Sequence, residues 1–577
     1  MKRAPLPYIL IPLAALLAVL PLILHGCSCG HDFDFHLVSW LEAAQQFRHG
    51  NLHPTWTTTP AWNAGEPRFV FYPPLSWTLG ALLGLILPWT WTPIAYTWLA
   101  LTAAGLSLHR LARAFTTPNA AILAAVVYLA NPYTLFTAYE RTAYAELLAA
   151  AILPLLLHGI LRPRITIPGI AVPVALLWLT NAPAAVMGCY ALALLAAIRL
   201  AIKPDAPYLD SRKWAKRHKL QLALKTAAGT LLGLGLAAFY ILPAAYERRY
   251  VQIAMATLPG MAIANNFLFH HTGTSPDDLL HDQVLHTASV IAVLLIAATL
   301  LLIVITRATT PGAPSSPGPI GQGGVPSEAR PPATHLLLPI ALLTVTITLL
   351  LTPISAFIWR HAPELQFLQF PWRFLAIQAP LLALVVAVAL RTLPLKSAYT
   401  AVLAIAVAAA LVYPAYNVFA QSCDQPDTVQ ARVALFHSAN PGTDPTDEYT
   451  PTTADNDSLG HADPPYWLAA SPEAHAPANS QPGATPFHLS IDAPTAESLI
   501  FNLRDYPAWR ITLNGATITM CEPREDGLIA IPVPAGSSTL SIAYQDLPDQ
   551  RIGLILSFIS LLLLTLCIAR PSFIIKS

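Results

Sequence analysis

Thirteen stretches of this chain are almost wholly apolar and approach the length a bilayer demands: 7–25, 75–89, 93–110, 119–137, 146–161, 165–180, 182–199, 226–245, 285–306, 335–352, 374–391, 398–416 and 551–569. A helix rises 1.5 Å per residue, so ~20 such residues cross the ~30 Å hydrocarbon core. The pattern predicts an all-α polytopic membrane protein. Between 417 and 550 it changes. "ESLIFNLRDYPAWRITLNGATITM" and "GLIAIPVPAGSSTLSIAYQ" contain strand-like alternating runs, with "LNGA" and "PAGSS" as turn signals. A small β-sandwich-like domain is expected there. The preceding 424–485, rich in Pro, Asp, Thr and Ala, reads as irregular.

The expected organisation follows. Residues 1–25 form the first transmembrane helix and 26–74 an extracytoplasmic loop. Residues 75–416 form the multi-helix domain, interrupted by a Pro/Gly/Ser-rich cytoplasmic linker at 307–334. Residues 417–550 are the extracytoplasmic β-rich domain, and 551–577 the last helix and tail. The start, "MKRAPLPYILIPLAALLAVLPLILHGC", also resembles a cleaved signal, but its apolar run is long for one, so a retained helix is expected.

Orientation comes from Lys and Arg. Arg199, Lys203, Arg212, Lys213, Lys216, Arg217, Lys219 and Lys225 put loop 199–225 in the cytoplasm. Lys2 and Arg3 put the N-terminus there too. The two agree only if one early segment fails to cross. The shorter, 75–89, is expected to be re-entrant or interfacial. Both termini are then cytoplasmic.

Composition agrees: 55% of the 577 residues are hydrophobic and 11% charged, against roughly 25% charged in soluble domains. The net charge of +1 and the lack of a basic stripe give no reason to expect a nucleic-acid partner. Of six cysteines, Cys189 and Cys567 lie in apolar runs. Cys423 and Cys521 share one polar segment and are candidates to pair if it is extracytoplasmic.

Four stretches carry candidate chemistry. In "HGCSCGHDFDFHLVSW" (25–40), Asp32 and Asp34 alternate with Phe33 and Phe35, flanked by His31 and His36. On a helix Asp32 and His36 share a face. The group suits general-base work or a divalent cation held by Asp32, Asp34, His31 and His36; the alternative is the polar rim of a helix. A zinc site using Cys27 and Cys29 fits no standard spacing. In "GEPRFVFYPPLSW", Arg68 is either a phosphate ligand or an interfacial anchor. In "YERTAYAELL", Arg141 and Glu146 either pair or line a cavity, together with Glu140. In "LQFLQFPWRFLAIQAP", Arg373, behind Trp372, suits a lipid phosphate or snorkels beside a Trp anchor. Arg248 and Arg249 raise the same choice. His270, His271, His281 and His286 read as ordinary loop residues.

"GHDFDFHL", "GEPRFVFYPPLSW", "ERTAYAE", "FLQFPWRFL", "DEYTP" and "DYPAWRITLNG" together resemble bacterial membrane proteins of the YfhO-like kind. They are closer still to the group labelled as having a 6-pyruvoyl-tetrahydropterin synthase-related domain. These resemble the GT-C glycosyltransferase superfamily, which implies a GT-C-like helical bundle in a bacterial inner membrane. The resemblance implies transfer of a sugar from a polyprenyl-phosphate donor to a cell-envelope glycan or lipid acceptor. It makes Asp32 the leading base, Asp34 the second, His36 an orienting or metal-holding group, Glu146 a supporting acid, and Arg373 the ligand of the donor phosphate; the residues themselves add Trp372, Arg141 and Arg68 to the expected substrate-binding set. Cys27 and Cys29, before "GHD", depart from that pattern and are read as bystanders. Membrane lipids are expected partners. Two other readings use the same residues: a non-catalytic lipid-linked-glycan flippase or accessory subunit, and a transporter. Lack of an internal repeat and of paired broken helices in the sequence pattern weighs against the last.

Overall fold

The structure, a computed structural model, describes residues 6–202, 211–257, 262–309, 334–477 and 480–569. Lys2 and Arg3, the loop from 203 to 210, most of the 307–334 linker and the tail from 570 lie outside the described residues.

The chain is a multi-pass helical membrane protein with a small β domain near its C-terminal end. Among the described residues seven helices are long and apolar enough to cross a membrane. These are Pro7–His25, Tyr144–Leu161, Ala182–Ala201, Asp278–Thr309, Pro371–Thr392, Ser397–Phe419 and Pro548–Ala569. Three bent pairs raise the number to ten. Thr92–Arg113 has the length, 22 residues, and sits in the middle of the bundle, but its Thr, Tyr and Trp keep it less apolar than the seven.

The apolar pattern hid the bends. The stretch 119–137 is two helices, Pro118–Leu129 and Pro132–Tyr139, meeting at 41°. Asn131 causes the break: its side chain accepts from the amides of Tyr133 and Thr134, with Pro132 opening the second helix. Lys219–Leu236 meets Ala238–Tyr250 at 73°, and Leu336–Leu350 meets Pro353–His361 at 87°.

Two helices are short. Pro74–Ile86 has 13 residues, which is ~20 Å of helix and less than a full crossing. It packs tightly on the helix Phe33–Arg48: a Cβ on Gly80 would lie 2.3 Å from the Trp40 indole. The stretch 165–180, expected to cross, is also short. Its helix Ile167–Thr180 has 14 residues, because Asn181 stops it and caps Ala182–Ala201 through the Ala184 amide.

Among the described residues the β domain has seven strands: β1 Tyr466–Ala469, β2 His488–Ala493, β3 Glu497–Arg504, β4 Trp509–Leu513, β5 Ala516–Ile518, β6 Leu528–Val533 and β7 Gly536–Tyr544. They form two antiparallel sheets, ordered β1-β3-β6 and β2-β7-β4-β5. Asn514 and Gly515, at φ 52° and 83°, make the two-residue β4–β5 hairpin that "LNGA" signals. The second signal joins β6 to β7, which lie in different sheets. Leu499, Phe501 and Leu503 of β3 pack with Ile529 and Ile531 against Ile511, Leu540 and Ile542. The other face of β3 is covered by the first loop. Arg504 N–H donates to the Ala64 carbonyl at 3.0 Å, and Asn502 Nδ2 to that of Trp62 at 3.1 Å. The irregular stretch 424–485 also holds a short helix, Val429–Phe436, and β1.

Candidate active site

The helix Pro7–His25 ends at Gly26, whose φ of 96° turns the chain. The next residues are stapled to two other parts of the bundle. Ser28 Oγ donates to the Tyr139 carbonyl at 2.5 Å and accepts from the Gln421 amide at 2.8 Å. Cys29 forms a disulfide with Cys423, with Cα atoms 5.0 Å apart. This corrects two expectations: Cys423 does not pair with Cys521, which is free, and Cys29 is no bystander. The physical reason is placement. Cys423 follows directly on the span Ser397–Phe419, beside the end of the first helix, whereas Cys521 packs against the β domain's core. Gly30 then passes so close to residue 140 that a Cβ would sit 1.9 Å from its carbonyl oxygen. The amides of His31 and Asp32 donate to the carbonyls of Glu140 and Arg141 at 3.3 and 2.9 Å.

Asp32 occupies the N-cap position of the helix Phe33–Arg48, but its carboxylate does not cap. It has no hydrogen bond or ion pair among the described residues. His36 lies one turn on, its amide 3.2 Å from the Asp32 carbonyl. Its ring is 1% exposed, edge-on to Tyr144 and Tyr72 at centroid distances of 5.3 and 5.8 Å. Burial pushes its pKa down to about 4, Asp32 opposing the shift. His36 is therefore neutral at ordinary pH, and its Nδ1 is buried without a partner.

The break at Asn131 and the turn at Thr142 (φ 46°) bring a second group alongside. Arg141 pairs with Glu146 at 2.7 Å, both side chains about 5% exposed. Tyr133 Oη donates to the other Glu146 oxygen at 2.5 Å. The Arg141 guanidinium also lies 4.9 Å over the Trp372 ring. The third group follows the turn Pro371–Phe374, where the Arg373 guanidinium lies 5.1 Å over the Phe370 ring. Its Nε is buried without a partner, and it has no counter-ion within ion-pair distance among the described residues.

The three groups face one cavity of about 890 Å³. His31, Asp32 and His36 line it from the first loop, Arg141 and Glu146 from the second group, Trp372 and Arg373 from the third. Trp178, Val186, Val284 and Leu285 give it an apolar wall. Among the described residues its polar side thus holds the satisfied Arg141–Glu146 pair together with the unpaired Asp32 carboxylate and Arg373 guanidinium. In a low-dielectric surround such groups act strongly on a bound anion or on a hydroxyl proton.

Two candidates lie elsewhere. Asp34 turns away and pairs with Arg432 at 2.7 Å, which also holds Asp427 at 2.7 Å. Arg68 is spent on Glu66 at 2.7 Å, Ser39 Oγ at 3.2 Å and Thr446 Oγ1 at 3.1 Å, with its guanidinium over the Phe35 ring. Neither lines the cavity. Among the described residues no three His, Cys, Asp or Glu converge as a metal site would need. Arg248 and His281 do line the cavity, while Arg249 stacks on Tyr246 at 3.7 Å. Glu448 and Tyr449 line it too. The "DEYTP" motif contains both but gave no hint that a segment next to the β domain reaches a cavity among the spans.

No protein-family model matches the chain, and no curated protein matches it by sequence. Among solved structures, the cryo-EM structure of the arabinofuranosyltransferase AftD from Mycobacteria is similar over 70% of this chain, at 18% identity and a TM-score of 0.39. The match covers 26% of that protein, so this chain corresponds to about a quarter of its length.

Proposed function

We propose that this chain is a GT-C-type integral membrane glycosyltransferase. It would move a sugar from a polyprenyl-phosphate donor to a hydroxyl of an extracytoplasmic glycan or lipid acceptor. One observation carries the reading: the free carboxylate of Asp32 and the free guanidinium of Arg373 share one cavity with an apolar wall. A lipid-phosphate donor needs that combination. Its chain lies against apolar side chains, its phosphate meets a cation, and a carboxylate waits for the acceptor.

The acceptor oxygen forms a bond to the sugar's anomeric carbon and gives its proton to Asp32. The bond from that carbon to the phosphate oxygen breaks, and its electron pair leaves with the phosphate. Arg373, backed by Arg141, stabilises the charge that develops there. The Glu146 carboxylate holds Arg141 in place. Neutral His36 walls the base without competing for the proton. A phosphate leaving group needs little protonation, so the step requires no second acid. The lysines and arginines of the loops favour an extracytoplasmic cavity and β domain in a bacterial inner membrane.

The test is a map of the purified full chain with a polyprenyl phosphate. Phosphate density against Arg373, with the prenyl chain along Val284 and Leu285, is the expected result. Phosphate density elsewhere, with the cavity empty, sinks the donor assignment.

A further inference from the structure

Glu448 is a carboxylate that the proposed transfer leaves idle. It lines the same cavity as Asp32 and Arg373, yet it comes from the segment that leads into the β domain. No hydrogen bond or ion pair to another side chain occupies it among the described residues. Burial, its largest influence, raises its pKa. The segment is held firmly. The Thr446 amide donates to Glu66 Oε2 at 2.9 Å, and Arg68 reaches Thr446 Oγ1. Asn456 Nδ2 donates to Asp447 at 2.8 Å, and Arg504 donates to Asn456 Oδ1 at 2.8 Å. On the third side, the amides of Gln252 and Thr452 donate to the carbonyls of Thr450 and Tyr250 at 2.8 and 3.1 Å. A partly buried carboxylate on so fixed a turn has been positioned, and no other side chain among the described residues pairs with it.

Its neighbours indicate what it is for. Tyr449 also lines the cavity and stacks on Phe71, with centroids 5.5 Å apart and planes 12° apart. Tyr72 lines it as well, edge-on to Phe35 at 4.8 Å. Neither tyrosine hydroxyl has a partner among the described residues. A carboxylate that only accepts, two hydroxyls that donate or accept, and flat apolar faces match one ligand class: a sugar ring with its hydroxyl edge and its C–H faces.

We infer that Glu448, Tyr449 and Tyr72 form a sugar-hydroxyl subsite, through which the segment carrying the β domain positions a glycosyl group in the cavity. This rests on the transferase reading for its place in the reaction, but it is tested by binding alone. Glu448 accepts hydrogen bonds from sugar hydroxyls; it takes no part in bond making.

The experiment is saturation-transfer NMR on the full chain in detergent with methyl glycosides of the common hexoses and pentoses. The expected result is saturation of at least one glycoside by the wild type, reduced five-fold or more by Glu448→Ala and by Glu448→Gln. Glu448 has no side-chain partner to lose among the described residues, so neither variant should change thermal stability, and a melt verifies that the chain is folded. Saturation unchanged in Glu448→Ala, or no glycoside saturated by the wild type, overturns the subsite. A chain that binds glycosides through Glu448 yet transfers no sugar keeps the subsite and loses the transferase reading.

Discussion

Cys29 and Cys423, 394 positions apart, are joined by a disulfide that ties the Asp32 loop to the segment leading into the β domain. Asp32 is three residues from this staple and inherits its position. The bond should matter for stability. Cys29→Ser is expected to lower the melting temperature, in line with the ~2–5 kcal/mol that native disulfides contribute, and Cys521→Ser to leave it unchanged. Alkylation of the denatured, unreduced chain should modify four of its six cysteines.

Arg141 and Glu146 form a buried pair, and removing one partner strands the other. Glu146→Ala should destabilise the chain by about 3–5 kcal/mol. Replacing Arg141 and Glu146 together by apolar residues should cost less than either single change. A double-mutant cycle on detergent-solubilised protein measures the coupling. Additive single effects would mean that the pair does not hold in solution.

His36 makes stability depend on pH with a defined sign. Its folded pKa of about 4 lies below the ordinary 6.5, so between those values the unfolded state binds a proton that the folded state refuses. Stability is therefore full above pH 6.5 and falls as pH drops towards 4, by about 3 kcal/mol in all. His36→Phe should flatten that part of the profile. Melting temperatures from pH 4 to 8 read it directly.

Arg68 bridges a carboxylate and two hydroxyls with one planar fork. Arg68→Lys should therefore fail to restore what Arg68→Ala loses. Both are expected to loosen the turn that carries Glu448, seen as faster hydrogen exchange in residues 446–452. Protection equal to wild type in the lysine variant would count against the bridge.

The sequence was most legible where a local period decides the outcome. Apolar runs reveal spans, because no helix can sit in lipid without them. Alternation reveals strands, and Asn514–Gly515 marks a hairpin because few other pairs accept two positive φ angles. What the pattern missed depends on partners far away. Nothing local to Cys29 distinguishes Cys423 from Cys521. The break at Asn131 sits inside an apolar stretch whose hydropathy barely registers it, whereas the boundary at Asn181 was legible between two runs. Asp34 and Arg68 looked as reactive as Asp32 and Arg373. They differ in that Arg432, from a remote segment, reaches Asp34, while Glu66, two residues away, and the remote Thr446 take up Arg68. Glu448 stayed hidden because a loop's destination is not written in its own residues.

The most direct test of the account is sugar transfer by the purified full chain supplied with a labelled polyprenyl-phosphate sugar and a membrane acceptor. Wild type should transfer label. Asp32→Asn, which keeps the size of the side chain and removes the base, should lower kcat by about 10²–10⁴-fold, as expected for loss of a general base, at unchanged thermal stability. Transfer by Asp32→Asn at the wild-type rate would contradict the account at its centre.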